Sequence, residues 1–271
     1  DVYLNNGNRY EASMSGAYAT DDSNLIGYLS DLSCTSLDMS AVTNLPDSLG
    51  LTSGNRVVYL PEGVAAAEPN LVVGDVCSQL VLSPDGGPFR PSRAFQAEKA
   101  SLTCTVDGGR MLMLPFTADV PEGVKAYAVD DDMKAVELTS IPAHQPVLVL
   151  ADGDITFEGR GEVSYAVSAL SSVLRGVYVP ITIYKGSYQL GTLNGEWGFT
   201  RRQTDAQLAP FDVYDVPKST ERFVSINFDD TGVESIVTTQ GDAPVFNVMG
   251  QRVDDTYRGM IIVRGKKYIK R

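Results

Sequence analysis

Short apolar runs separated by turn-forming residues recur along the chain, and no other feature of the sequence limits the possible folds as strongly. Each run has the length of a β-strand and is bounded by turn chemistry, as in Pro84-Asp85-Gly86-Gly87 and Ala151-Asp152-Gly153-Asp154. The runs are Val57–Leu60, Gln79–Leu82, Met111–Leu114, Val147–Leu150, Val177–Tyr184, Phe223–Phe228 and Met260–Val263. Long segments with the 3.6-residue apolar period of an amphipathic helix are missing. The sequence therefore predicts a mainly β protein.

The charge and the apolar pattern disfavour two classes of partner. The 271 residues include 34 acidic and 22 basic side chains, which gives a formal net charge of −12. Such a surface repels phosphate backbones, so we predict that the protein does not bind nucleic acid. No apolar run approaches the roughly 18 residues of a membrane-spanning helix, and we predict no membrane span.

The residue types that usually bind metals are few or unsuitably spaced. The cysteines Cys34, Cys77 and Cys104 and the single histidine His144 lack the spacing of a zinc site, so we predict buried free thiols. Aspartate groups that offer oxygen ligands for calcium occur at Asp130-Asp131-Asp132, Asp152 with Asp154, and Asp229-Asp230. None of them fits the calcium-loop motif, and phosphate-binding glycine loops are also missing. We predict neither a metal nor a cofactor.

Residues 1–72 are predicted to form a leucine-rich-repeat-like portion that serves as a cap. The apolar positions Cys34, Leu37, Met39, Val42 and Leu45 fit the repeat template, in which a short strand faces a stacked core. The segments LDMSAV (37–42) and VYLPEGV (58–64) resemble the BspA-type leucine-rich surface proteins of Bacteroidetes. Three interpretations remain: a degenerate terminal cap, which we favour, a fragment of a longer array, or an accidental strand–turn likeness.

Residues 73–94, rich in Gly and Pro, are predicted to connect this portion to a β domain spanning residues 95–217. About ten strands in one domain favour two packed sheets, so we predict a β-sandwich, with jelly-roll connections as one option. Six segments resemble a domain that recurs downstream of repeats in Bacteroidetes surface proteins. They are residues 95–103, 114–129, 138–150, 174–183, 186–201 and 208–216.

The end of the chain is predicted to form a strand and linker (218–243) and a small β meander (244–271). The meander strands are Val245–Val248, Met260–Val263 and Lys267–Lys270, with a hairpin turn at Arg264-Gly265. The tail resembles the short C-terminal tails of proteins that Bacteroidetes export by the type IX pathway. The matching residues are Val245, Phe246, Gly250, Arg252, Val253, Gly259, Ile261, Val263, Gly265, Lys266, Lys267 and Lys270. The resemblance implies a protein at the cell surface or outside the cell; the alternative is that the tail is only the last piece of sheet.

No catalytic constellation stands out. The G-x-S-x-G elbow of many serine hydrolases does not occur, and His144 lies between Pro142 and Pro146 in a predicted loop. Pairing of Cys104 with His144 has no local support. Glu196 beside Trp197 suits a glycosidase or a sugar site, but strand alternation predicts Trp197 in the core and Glu196 facing solvent.

One group of aromatic residues suggests a ligand, because aromatic faces stack on the apolar faces of sugars. The group is Tyr178, Tyr184, Tyr188, Trp197 and Phe199. From it and its neighbour we take Trp197, Tyr184, Tyr188 and Glu196 as candidate ligand-binding residues. The alternative is that the aromatic residues belong to the core. An exposed Trp197 would favour sugar binding.

The resemblance to Bacteroidetes surface proteins, together with the lack of a catalytic constellation, implies a non-catalytic, exported cell-surface protein of the adhesion or ligand-binding type. We expect a monomer whose partner is a host protein or a glycan. The first alternative is a carbohydrate-binding module that accompanies glycan degradation. The second is an unrecognised glycosidase, and the third is a spacer with no ligand of its own.

Overall fold

The computed structural model describes most of the chain between residues 52 and 228 and shorter segments outside it. The described residues are 2–4, 11–17, 34–43, 45, 50, 52–65, 67–165, 173–215, 220–228, 234–235, 245–247, 253, 259–263 and 266–270. The chain divides into two compact units, Asp1–Asn227 and Phe228–Arg271. The protein is mainly β, as predicted.

The first unit begins with a stack of parallel strands. In chain order the elements are β1 (Val2–Leu4), β2 (Glu11–Ala17), β3 (Ser36–Thr43), β4 (Val57–Leu60), β5 (Leu71–Val73), β6 (Val76–Cys77), β7 (Leu80–Leu82) and a 3₁₀ turn (Pro84–Gly86). Strands β2, β3, β4 and β5 lie side by side and parallel, while β1 pairs antiparallel with β2. Stacked repeats can place successive strands in such parallel order, and the leucine-rich-repeat-like interpretation of residues 1–72 stays a prediction.

The template positions identified in the sequence face the core of this stack. Cys34, Leu37, Met39, Val42, Val58, Leu60 and Leu71 form one buried cluster, and Leu45, Val64 and Val73 pack against it. All four residues of β4 are buried, because both faces of this parallel strand are covered. A continuous apolar run is therefore what the position of β4 demands.

Two very long strands dominate the rest of the first sheet. The elements are β8 (Phe95–Met113), β9 (Thr117–Asp119), β10 (Lys125–Val129), β11 (Lys134–Leu138), β12 (Ser140–Ile141) and β13 (Pro146–Val163). Strands β8 and β13 pair antiparallel over nearly their whole length, with one irregularity between Gly159 and Gly161. Strands β6 and β7 pair parallel with β8, so the stack and this antiparallel ribbon belong to one sheet.

A second sheet packs on the ribbon to form the predicted sandwich. The remaining strands of the unit are β14 (Leu174–Gly176), β15 (Ile181–Ile183), β16 (Tyr188–Leu193), β17 (Glu196–Arg201), β18 (Ala206–Leu208), β19 (Val213–Asp215) and β20 (Phe223–Ser225). Strand β21 (Asn227–Phe228) falls at the division between the units and is not part of the second sheet. The order β14-β19-β16-β17-β20 makes the second sheet, and β15 pairs with β18. Phe89, Tyr178 and Phe211 are buried with ring centroids 5.9–6.1 Å apart, and they fill the space beside the sheets.

The second unit contains a four-stranded sheet. Its strands are β22 (Glu234–Ser235), β23 (Val245–Asn247), β24 (Gly259–Val263) and β25 (Lys266–Lys270). Strands β23, β24 and β25 form an antiparallel meander, as predicted, and β22 pairs parallel with β25. The predicted turn residues Arg264-Gly265 lie outside the described residues.

Two features differ from the sequence interpretation. Ala151-Asp152-Gly153-Asp154 is not a turn but lies inside β13, where these residues pair with Gly108–Thr105 of β8. Continuous pairing with the partner strand outweighs local turn chemistry here. Residues 73–94, interpreted as a connection, contain β6 and β7, both hydrogen-bonded to β8. The structure divides the chain only once, after Asn227. The predicted bounds within residues 1–217 therefore remain predictions.

Candidate functional site

A tight hairpin presents Trp197 at the surface of the second sheet. Leu193 pairs with Glu196, which leaves Asn194-Gly195 as a two-residue turn. Both turn residues have positive φ angles, 53° and 85°, as a type I′ turn requires. The turn fixes the register in which Thr192 lies opposite Trp197 on one face of the hairpin.

The indole of Trp197 lies against the backbone of β8. A Cβ atom added to Gly109 would come within 2.6 Å of the indole Cη2, far inside contact distance, so only glycine allows this approach. Trp197 is therefore half-buried: part of its ring faces the Gly108-Gly109 backbone and part remains accessible. The predicted core position is only partly correct for this side chain.

An ion pair joins β8 to the residue that precedes β19, beside the tryptophan. Arg110 Nη2 donates to Asp212 Oδ1 at 2.8 Å, and Arg110 Nη1 donates to the Thr105 carbonyl at 3.1 Å. The second carboxylate oxygen of Asp212 accepts the Ala209 amide at 2.9 Å. Both side chains are about three-quarters buried, at 23% and 25% exposure. These bonds hold the guanidinium and the carboxylate in fixed positions at the edge of a cleft.

The cleft lies between β8, the hairpin of β16 and β17, and the start of β19. It has a volume of about 430 Å³ and is lined by Trp197, by polar and charged side chains, and by the apolar side chains of Met111, Leu190 and Val213. The side chains that bear on its chemistry are Asp107, Arg110, Gln189, Thr192, Trp197 and Asp212. One aromatic ring and several apolar side chains beside a few donors and acceptors are the kind of lining found in sites for small ligands.

The other candidate ligand-binding residues lie elsewhere. Tyr184 is 70% exposed but does not line the cleft. Tyr188 is fully buried and its hydroxyl donates to the Glu221 carbonyl, so its ring belongs to the core. Glu196 is exposed, accepts a hydrogen bond from Ser225 Oγ at 3.2 Å, and follows the expected alternation with Trp197. Of the four predicted residues, only Trp197 lines the cleft.

The rest of the aromatic group is core. Tyr178 and Phe199 are buried, as the alternative interpretation holds. Sequence reasoning missed Arg110, Asp212 and Asp107. The one sequence signal for this place is Gly108-Gly109, because paired glycines inside a strand often mark a close approach of another group.

His144 takes part in a hydrogen-bond network with two hydroxyl groups. Its Nδ1 lies 2.6 Å from the Tyr178 hydroxyl, and Ser164 Oγ lies 3.3 Å from its Nε2. The Tyr178 hydroxyl donates to the Leu114 carbonyl at 3.0 Å, and the same carbonyl accepts the His144 amide at 2.7 Å. We assign the proton to Nδ1 because the single hydroxyl proton of Tyr178 is already used.

Among the described residues of this network, none is a carboxylate hydrogen-bonded to His144 as the anionic member of a catalytic triad would be. Burial, with a smaller effect of Tyr165, raises the pKa of Tyr178 well above its usual value, so the phenol stays neutral. Burial lowers the pKa of His144, opposed by the charge of Glu162. A neutral phenol does not stabilise an imidazolium ion as a carboxylate does. The network orders the backbone at His144, whose φ is 59°.

The cysteines and the aspartate groups considered as metal ligands in the sequence have structural roles where the structure describes them. Cys34, Cys77 and Cys104 are all free and buried, as predicted, and burial raises the pKa of Cys77 to about 11. Asp130 Oδ1 accepts the amides of Asp132 and Lys134 at 3.0 and 2.9 Å. Within the described ranges no three His, Cys, Asp or Glu side chains are grouped to hold a metal ion. Asp229-Asp230 lie outside those ranges.

Comparison with known proteins gives no assignment: no family model, no curated protein and no solved structure matches the chain. In the part of the chain that the structure describes, no helix has the length and apolar character needed to cross a bilayer.

Proposed function

We propose that this chain is a non-catalytic, exported cell-surface protein of the ligand-binding type, and that its cleft at Trp197 binds a carbohydrate. The observation that supports this proposal most is the position of the single tryptophan of the sequence. Trp197 is half-buried, and it lines a cleft whose other walls carry both hydrogen-bonding and apolar side chains. A cleft of this kind weighs against the spacer alternative, which expects a smooth central domain.

The chemistry of a sugar ring matches these walls. One face of a pyranose is rich in C–H groups and stacks on an indole, while its hydroxyl groups point outward to polar partners. Around the indole, Gln189 and Thr192 offer donors and acceptors, and the Arg110–Asp212 pair offers both together. The Gly109 backbone supports the indole from below, so the ring is held in place before the ligand arrives.

A Trp197→Ala variant tests the proposal. We expect it to lose about tenfold in affinity for the oligosaccharides that the native protein binds on a broad glycan array, since stacking on an aromatic ring contributes about 0.5–1.5 kcal/mol in addition to the apolar area it covers. The matched control is Tyr184→Ala, which removes a more exposed aromatic ring outside the cleft. Circular dichroism of both variants checks that the fold is retained. Equal binding by the native protein and folded Trp197→Ala would contradict a sugar site at this cleft.

The location rests on the tail. Residues 244–271 resemble sorting tails of exported Bacteroidetes proteins, and the meander of β23, β24 and β25 gives this segment its own small sheet. Expression in a Bacteroidetes host with and without residues 244–271 tests it. We expect surface labelling of intact cells to detect the full chain and to lose the truncated one. Equal surface labelling of both chains would contradict the role of the tail.

A glycosidase is the second candidate, because two carboxyl groups, Asp107 and Asp212, line the same cleft. Against it, both oxygens of Asp212 are already bound, one by Arg110 and one by the Ala209 amide. Incubation of the purified protein with the array-positive oligosaccharides decides between the two. Release of new reducing ends that stops in Asp107→Asn would establish hydrolysis; binding without release supports the non-catalytic proposal.

A further inference from the structure

The charged side chains that line the cleft carry a net negative charge. Among the described residues of this lining, Arg110 is the one cationic side chain, and Asp212 at 2.8 Å compensates its charge. The guanidinium is further held by the Thr105 carbonyl. Asp107 has no ion pair among the described residues, so its carboxylate leaves the lining with one uncompensated negative charge.

A second carboxylate near Asp107 adds to the negative charge at the cleft. Asp152 on β13 lies directly opposite Asp107 on β8, and both are exposed. Asp152 Oδ1 accepts the Gly108 amide at 2.8 Å, which holds the second carboxylate beside the cleft. The chain as a whole carries a formal charge of −12. An anionic ligand therefore meets repulsion both at a distance and at the site.

We propose that the cleft selects uncharged saccharides and that Asp107 is the residue that rejects anionic ones, such as uronates and sulfated or sialylated sugars. This inference rests on the carbohydrate-binding function proposed above. A cleft that binds acidic sugars needs an unpaired cation, whereas here the arginine is neutralised by its partner. The ion pair instead suits a pair of neighbouring hydroxyl groups. The guanidinium keeps further N–H donors for one hydroxyl oxygen, and each carboxylate oxygen of Asp212 keeps a second lone pair that can accept from the other hydroxyl, beside its bond to Arg110 or to the Ala209 amide.

A matched pair of ligands tests the selection. The probes are the neutral oligosaccharide bound most tightly on the array and the same oligosaccharide after oxidation of its primary hydroxyl groups to carboxylates. Binding of both probes is measured by titration of Trp197 fluorescence at low salt and at about 1 M NaCl, where charges are screened within about 3 Å. We expect the oxidised probe to bind the native protein about tenfold more weakly at low salt and to regain much of this loss at high salt.

The Asp107→Asn variant assigns the effect to one residue, because it removes the charge and keeps the shape of the side chain. We expect the preference for the neutral probe to fall several-fold in this variant, while Tyr184→Ala keeps the native preference. Equal or tighter binding of the oxidised probe by the native protein overturns the inference, as does an unchanged preference in Asp107→Asn. Both of these results leave the sugar site intact. No binding of any sugar by the native protein overturns the proposed function itself.

Discussion

In the parallel stack, strand β4 is buried along its whole length, whereas in the antiparallel ribbon buried and exposed residues alternate along most of β8. The difference follows from what covers each face: β4 has neighbours on both faces, whereas the ribbon exposes one face to solvent along most of its length. The consequence for function is direct. Polar side chains of the stack are used to hold the backbone together, and those of the ribbon remain available at its surface and in the cleft.

Two buried asparagines show how the stack uses its polar groups. The side-chain amide of Asn55 forms hydrogen bonds with the backbone of Ser83 and Gly87, and that of Asn70 with the backbone of Gly54 and Val81. These bonds tie the stack to the segment that leads into β8. We therefore expect the stack and the sandwich to unfold together as one cooperative unit.

The largest predicted loss of stability comes from the aromatic cluster of the sandwich. Phe89→Ala removes a fully buried ring that packs against Tyr178 and Phe211, so we expect a loss of about 3–5 kcal/mol in the free energy of unfolding. Urea denaturation followed by Trp197 fluorescence measures it. The control Val136→Ala alters a side chain that is 50% exposed and should change the stability by no more than about 0.5 kcal/mol.

Cysteine alkylation shows whether this loss extends to the stack. Cys34 lies in the stack and Cys104 on β8; burial raises the pKa of each thiol, so both are protected in the folded state. In Phe89→Ala we expect both thiols to become reactive at the same, lowered urea concentration. Alkylation of Cys104 at a lower urea concentration than alkylation of Cys34 would contradict cooperative unfolding of the stack and the sandwich.

Asn70→Ala should have the next largest effect, and it acts on the link itself. The substitution leaves the amide and carbonyl of Val81 and the carbonyl of Gly54 without their side-chain partner, which costs about 2–3 kcal/mol. It also places alanine at a φ of 62°, at a further cost of about 1 kcal/mol. Urea denaturation of Asn70→Gly, which removes the bonds without this strain, separates the two contributions. Native stability in Asn70→Ala would show that the link is dispensable.

The smallest predicted effect concerns pH. Burial lowers the pKa of His144 in the folded state, opposed by Glu162, so the unfolded chain binds a proton near pH 6.5 before the folded chain does. Stability should therefore fall as the pH drops below about 6.5, until the lowered folded pKa is reached. His144 is the single histidine of the sequence, so no other imidazole contributes to the change in stability near pH 6.5.

The variant His144→Asn tests this dependence. Asparagine tolerates the positive φ at this position and does not titrate. Urea denaturation at pH 7.5 and pH 5.5 should show a smaller fall in stability in the variant than in the native protein. An equal fall in both proteins would assign the pH dependence to other groups.

The fold was predictable where burial leaves a mark on the sequence. The run Val57–Leu60 coincides with β4, and the repeat-template positions of the stack face its core. The length of the ribbon was not predictable in the same way. Gly108-Gly109 and Asp152-Gly153 have the composition of turns, and only their pairing across two long strands keeps them in the sheet.

The cleft was predictable in one residue of its wall. Trp197 stands out by its type, but its partner groups come from distant parts of the chain. Arg110 and Asp212 are 102 positions apart, and nothing local in the sequence pairs them. Tyr188 and Tyr184 are both tyrosines of the same candidate group, but Tyr184 is exposed whereas the register of β16 places Tyr188 in the core. Such assignments depend on tertiary register, which single-strand patterns do not contain.

The most direct test of the central claim uses Trp197 as its own reporter, because it is the only tryptophan in the sequence. Its emission and its quenching by acrylamide are measured during titration with the array-positive neutral oligosaccharide. The account predicts a saturable change in emission and protection from the quencher, with a dissociation constant equal to that measured by calorimetry. Calorimetric binding with unchanged emission and unchanged quenching would place the sugar elsewhere and contradict the account.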